Sequence, residues 1–180
     1  RIRFLFFSCN CRHPCTIFNL QKRFKRAKTN FLTFRNSLEE YAVMKEKIIC
    51  FSLGLSSGDT EKGKASFNAA NDAACELVVA PMTGDMLDMK VGDALGNVIS
   101  GSKPDDLIPV LPDQFPYRVV VVAALEREQV FSVMRSFKAV LPDPQSLIFA
   151  VITETALGWT FRDYAAHLAQ EHEEMKSRNR

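Results

Sequence analysis

Gly58-Asp59-Thr60-Glu61-Lys62-Gly63-Lys64-Ala65 comes within one residue of a phosphate-binding loop. In that motif glycines let successive backbone N–H groups converge on a phosphate, the lysine meets the outer phosphates, and the next Ser or Thr holds Mg²⁺. Here Ala65 stands where the metal-binding hydroxyl belongs, and Asp59 and Glu61 would repel a polyphosphate. The bland reading is a polar loop whose glycines let a helix begin. Other candidates are weaker in spacing. His167 and Glu171 lie four apart on one helix face, but His172 is five from His167 and points elsewhere, so the set is not a paired-histidine metal site. It reads as a solvated, charge-rich last turn, with Lys176 and Arg178 at the helix's negative end. Cys9, Cys11, His13 and Cys15 could bind zinc ahead of the basic run Lys22 to Lys28, yet they crowd together without the distant second pair of a structural site. Cys50 and Cys75 are isolated, carry no Cys-x-x-Cys signature, and fit burial in a reducing cytoplasm. No metal, cofactor or catalytic residue is expected.

The remaining chemistry lies in the loops after the strands. In open α/β sheets ligands bind beyond the strands' carboxyl ends. In a largely parallel sheet that end gathers Ser56-Ser57-Gly58, Met82-Thr83-Gly84-Asp85 and Thr153-Glu154-Thr155 with Trp159. The candidate ligand-binding residues are therefore Ser57, Gly58, Lys64, Thr83, Asp85, Thr153, Thr155 and Trp159. They offer hydroxyls, helix N-termini and one aromatic plate. They offer no His, activated nucleophile or carboxylate pair, which favours binding over catalysis. Trp159 reads first as a plug packed under the last helix and second as a ligand platform.

Hydrophobic periodicity supplies the elements that must position these residues. Strands are expected at Lys47 to Leu53, Cys75 to Ala80, Arg118 to Leu125 and Leu147 to Thr153. Helices are expected at about Thr60 to Ala74, with a weak stripe of Ala65, Phe67, Ala70, Ala73 and Ala74, and at Asp85 to Leu95, with Asp85 as cap and Gly96 as stop. Two more are expected at Glu126 to Val140 and from Trp159 onward, the last with a reciprocal Thr160/Asp163 cap and a stripe of Phe161, Tyr164, Ala165, Leu168 and Met175. Between Asn97 and Pro116, four prolines punctuate a linker whose Ile108 to Leu111 allows at most a short edge strand.

Two halves, 44–96 and 117–176, thus both read strand, helix, strand, helix, a weak internal repeat. The expectation is one α/β domain over 44–180, in which the halves share one largely parallel sheet of about four strands with helices packed on it. Two separate two-stranded sheets would be too small to stand alone. The longest apolar run, Val119 to Leu125, falls far short of the roughly 18 residues that span a bilayer.

Residues 1–43 differ from the rest. They carry nine Lys/Arg against two Asp/Glu, and the remainder carries fourteen against nineteen, so a +7 leader precedes a −5 body. The leader holds seven of the fourteen Phe and three of the five Cys, but no Met, Gly or Asp. A targeting peptide or a disordered basic leader would suit its charge. The preferred expectation is translated upstream sequence, with the natural start at Met44 preceded by codons able to hold a ribosome-binding site. A nucleic-acid role would depend on this leader, because the body is acidic.

Ala150-Val151-Ile152-Thr153, Gly158-Trp159-Thr160 and Leu168 to Met175, closing on Glu171-His172-Glu173, resemble a bacterial family catalogued as domain of unknown function 3783. Val91-Gly92-Asp93-Ala94-Leu95-Gly96 resembles its glycine-flanked segment. The resemblance spans about Met44 to Lys176, and Glu154-Thr155-Ala156 departs from the family's Thr-Pro-x-Asn turn. It implies an α/β fold and no particular reaction. Together these readings lead to a small cytoplasmic, non-catalytic binding or regulatory module. Its partner would be a protein or a small anionic ligand, with no membrane and no nucleic acid. The rival is a divergent phosphate- or nucleotide-binding enzyme using Gly58 to Lys64.

Overall fold

The computed structural model describes residues 47–71, 75–101, 115–124 and 126–178. The leader 1–43, the linker's Ile108 to Leu111, and Ala73 and Ala74 lie outside those residues. The chain runs β1 (Lys47–Leu53), α1 (Ser57–Ala70), β2 (Glu76–Pro81), α2 (Gly84–Leu87), α3 (Val91–Ile99), β3 (Arg118–Ala123), α4 (Arg127–Val140), β4 (Leu147–Val151), α5 (Glu154–Leu157) and α6 (Phe161–Arg178). Four strands form one sheet in the order β2-β1-β3-β4.

The sheet is mixed, which corrects the largely parallel arrangement. β1 pairs parallel with β2 and β3 with β4, as a single crossover helix in each half requires. The two central strands, β1 and β3, run antiparallel. The long connection between the halves imposes no direction on β3, unlike a crossover helix. Antiparallel pairing brings the bare inner edges of both halves together and sets α1 beside α4 on the same face. Val119 to Ala123 are buried whichever way they point, because both faces of β3 are covered.

On one face α1 and α4 close over Ile48, Cys50, Val120, Val122 and Phe149. On the other, α2, α3, α5 and α6 close over Ile49, Phe51, Val121 and Ile148. Both cores draw on both halves, so neither half has a complete interior of its own. Gly54 ends β1 at φ 68°, and a Cβ there would meet the Tyr117 carbonyl oxygen at the start of β3. Only glycine tolerates both conditions.

Beyond shifts of one or two residues at strand and helix ends, the elements differ from the sequence reading in three places. α1 begins at Ser57, capped by Ser56, whose hydroxyl accepts from Asp59 N–H at 3.1 Å. Its buried residues are Thr60, Gly63 and Phe67, while Ala65 and Ala70 are exposed. The stretch expected as one helix at Asp85 to Leu95 is two. Thr83, not Asp85, caps the first, and Gly96 lies inside the second. Glu154 to Leu157, expected as loop, forms a short helix capped by Thr153. The reciprocal cap is present: Thr160 Oγ1 accepts from Asp163 N–H at 3.1 Å and donates to Asp163 Oδ2 at 2.8 Å.

Candidate functional site

The antiparallel centre splits the expected strand-end site. β1 and β2 finish at one end of the sheet and β3 and β4 at the opposite end, so Ser57, Gly58, Thr83 and Asp85 do not meet Thr153 and Thr155 at one mouth. Even at the first of these ends, α1 and α2 turn to opposite faces. The two threonines are also committed locally. Thr83 Oγ1 accepts from Met86 N–H at 3.4 Å and Thr153 Oγ1 from Ala156 N–H at 3.3 Å, each holding one turn of helix. Asp85 and Thr155 stand exposed beside these caps.

Gly58 to Lys64 lies wholly in helix, expected from about Thr60, so no phosphate-wrapping loop precedes it. Two donors of its first turn are used within it, Thr60 N–H on Ser56 O at 3.0 Å and Asp59 N–H on the Ser56 hydroxyl. Lys64 turns to Glu61, with 3.6 Å between the charged atoms. Gly63 serves packing, since it lies buried against the ring of Phe137. Ser57 and Gly58 occupy the first exposed turn.

Trp159 sits elsewhere, in the connection that crosses the outer helical face where the two halves meet. Val91 N–H donates to the Trp159 carbonyl at 2.9 Å, and Phe161 N–H donates to the Met89 carbonyl at 3.0 Å. Lys90 and Thr160 therefore face each other as an antiparallel bridge. Beside it Arg162 grips Asp88 in a two-pronged contact, Nε to Oδ1 at 2.8 Å and Nη2 to Oδ2 at 3.1 Å. That hydrogen bond holds the Asp88 carboxyl below the usual carboxylate range and pushes the Arg162 guanidinium up. The Trp159 ring is half-buried. It stands edge-on to Tyr164 at 6.4 Å and to His167 at 5.2 Å. His167 Nε2 lies 3.6 Å from Glu171 Oε1, one turn further along α6. Tyr164 is sealed beneath, its hydroxyl on the Val151 carbonyl at 3.2 Å, and burial first, then the Glu171 charge, push its phenol up. The arrangement is a rigid aromatic plate with a His/Glu pair at its rim.

His172 corrects the picture of a solvated last turn. It is 8% exposed and meets the Tyr117 ring edge-on at 6.4 Å. Burial, with smaller contributions from the Lys176 and Lys138 charges, lowers its pKa, while the Glu173 carboxylate acts in the opposite sense. A folded pKa below the unfolded one means that the unfolded chain binds the extra proton more readily. The contribution is full above the ordinary histidine range and is lost as pH falls from there through the lowered value. His172→Gln is expected to flatten the acid side of the stability profile across that window, measured as urea midpoints from neutral to mildly acidic pH. An unchanged acid slope would mean that His172 has no part in it.

Cys50 is wholly buried and desolvation pushes its thiol far up, so it is no nucleophile. Cys75 is half-buried and accepts from Gln129 Nε2 at 3.3 Å. Among the described residues no three His, Cys, Asp or Glu side chains converge as a metal cage, and no helix is long and apolar enough to cross a membrane. Sequence reading missed Asp88, Arg162 and the Lys90/Thr160 bridge. The available signal was the equal spacing of matching elements in the two halves.

Residues 118–175, from the start of β3 almost to the end of α6, match the family described as Domain of unknown function (DUF3783). That is the family the sequence resembles. No curated protein and no solved structure matches the chain.

Proposed function

Taking a DUF3783 domain in the second half as the premise, we propose that the chain is a repeated α/β unit acting as a non-catalytic binding module, with its recognition surface on the helical face around Trp159 rather than at the strand ends. The carrying observation is the setting of Trp159. Its backbone is pinned across the seam and its ring is fixed by Tyr164 and His167, yet part of it stays open. A rigid, amphipathic aromatic costs little ordering entropy on binding and is the side chain most enriched at interface hot spots.

The surrounding charges favour a protein partner over a small anion. Arg162 is matched by Asp88, Asp163 is engaged by Thr160, and His167, which touches the ring, faces Glu171, so a border of groups already matched within the fold follows Trp159 along the chain. Such a border shields an aromatic contact from water and, among the described residues, leaves no cationic cluster beside the ring for a phosphate. The phosphate-enzyme reading loses its main support with Gly58 to Lys64 in a helix. The two isolated cysteines of the body suit a cytoplasmic setting.

The test begins with capture of partners from the source cell on immobilised protein, followed by calorimetric titration of each purified candidate. Trp159→Ala is expected to weaken a genuine partner by about 2 kcal/mol or more, roughly thirtyfold. Trp159→Phe should restore much of that. Trp159 is the only tryptophan, so its emission should shift on binding in the unaltered protein. A partner held equally well by Trp159→Ala would move the surface elsewhere.

A further inference from the structure

A shift of seventy residues maps the seam between the halves onto itself. Ile49 opposite Ala123 becomes Val119 opposite Leu53, and Phe51 opposite Val121 lies at the centre. The Val91 to Trp159 hydrogen bond becomes the Phe161 to Met89 bond. Ile48 beside Leu77 becomes Arg118 beside Leu147, and α1, α2 and α3 begin seventy residues before α4, α5 and α6. Phe67 and Phe137, Thr83 and Thr153, and Asp93 and Asp163 are identical residues at matched positions. This is the pattern of an isologous interface between two copies of one unit, here carried on one chain.

Two contacts break the symmetry, both in the same sense. Gly63 lies where a Cβ would come within 2.6 Å of the Phe137 ring, and its matched position in the second half is Val133. A second half facing a copy of itself would put Val133 in the place of Gly63 against the Phe137 ring, where the present spacing leaves no room for a Cβ. The Asp88–Arg162 pair has Gly158 and Gly92 at the matched positions. A second half facing itself would set Arg162 against Gly158, and a first half facing itself would set Asp88 against Gly92. The ion pair exists only when unlike halves meet.

We infer that the seam is a recognition surface whose partner is the second half of any copy of this chain. The first half of one molecule accepts the second half of another, so two chains exchange halves into a closed dimer; pairing of two second halves is disfavoured by Val133 against Phe137, and pairing of two first halves lacks the Asp88–Arg162 ion pair. The inference rests on the seam alone and is independent of the role of Trp159.

The test uses the full chain with a protease site inserted between Pro109 and Val110 and cut after folding. The fragments are expected to stay together one to one. Cut protein, unlabelled and nitrogen-15-labelled, is then mixed, unfolded in urea and refolded. Native mass spectrometry is expected to show labelled first halves with unlabelled second halves and the reverse, with no pairs of second halves. Fragments that separate without urea, or abundant pairs of second halves, would overturn the inference. The uncut chain supplies a second reading that needs no fragment to refold. Refolding at high concentration is expected to give a species of twice the monomer mass with the monomer's near-ultraviolet spectrum, whereas monomer alone at every concentration would contradict the exchange.

Discussion

Gly63→Val is expected to lower stability by about 3 kcal/mol, near the upper end for overpacking a close-packed interior. A Cβ at position 63 would meet three carbons of the Phe137 ring at 2.6–2.7 Å, and Phe137 is itself 0% exposed. The ring cannot swing into solvent, so α1 and α4 must part or the ring must leave its rotamer. Helix propensity works the other way, since glycine inside a helix costs about 1 kcal/mol relative to Ala, but the collision outweighs that gain. Gly96, also inside a helix but with nothing within 4 Å of its would-be Cβ, is the control. Gly96→Ala should be neutral or stabilising by up to about 1 kcal/mol. Phe137→Leu in the Gly63→Val background should recover part of the loss, and the double-mutant cycle measures the coupling. Equal effects at positions 63 and 96 in urea melts would contradict the close approach of the two helices.

Phe161→Ala is expected to cost about 3–5 kcal/mol, the range for removing a buried aromatic ring. Phe161 is 0% exposed, its ring lies 4.9 Å from that of Phe51 on the central strand of the other half, and its N–H ties α6 to Met89. The loss should appear as one cooperative transition at lower urea, coincident by far-ultraviolet circular dichroism and Trp159 fluorescence. Two transitions, with only the one reported by Trp159 displaced, would mean that the halves hold separate cores.

Part of this fold is legible in the sequence. The unbroken Val119 to Val122 run and the stripe of Val130, Val133, Met134 and Phe137 announce a covered strand and an amphipathic helix, because burial writes itself into local periodicity. Four strands in one sheet follow from the size of each half. The direction of β3 against β1 does not, since it is settled by edge pairing at long range and leaves no period in either strand. That missing sign gathered at one mouth residues that the sheet keeps apart. With the strands' carboxyl ends at opposite ends of the sheet, Thr83 and Thr153 cannot converge, and each holds a helix start instead. Gly63 is readable as a glycine in a motif, but its role as the socket for Phe137 depends on a residue in the other half. Trp159 stands out by its position after Thr153, whereas its partners across the seam, Met89 and Val91, need the antiparallel geometry to be seen.

Both large effects require the two halves to meet across an antiparallel seam, and the Lys90/Thr160 bridge reports that meeting without altering a residue. The Val91 to Trp159 and Phe161 to Met89 hydrogen bonds make Lys90 and Thr160 a non-hydrogen-bonded antiparallel pair, with Cα atoms about 4.5 Å apart. A nuclear Overhauser spectrum of the unaltered protein is expected to show a strong cross-peak between the Hα protons of Lys90 and Thr160. Assigned Hα resonances with no cross-peak between them would contradict the seam.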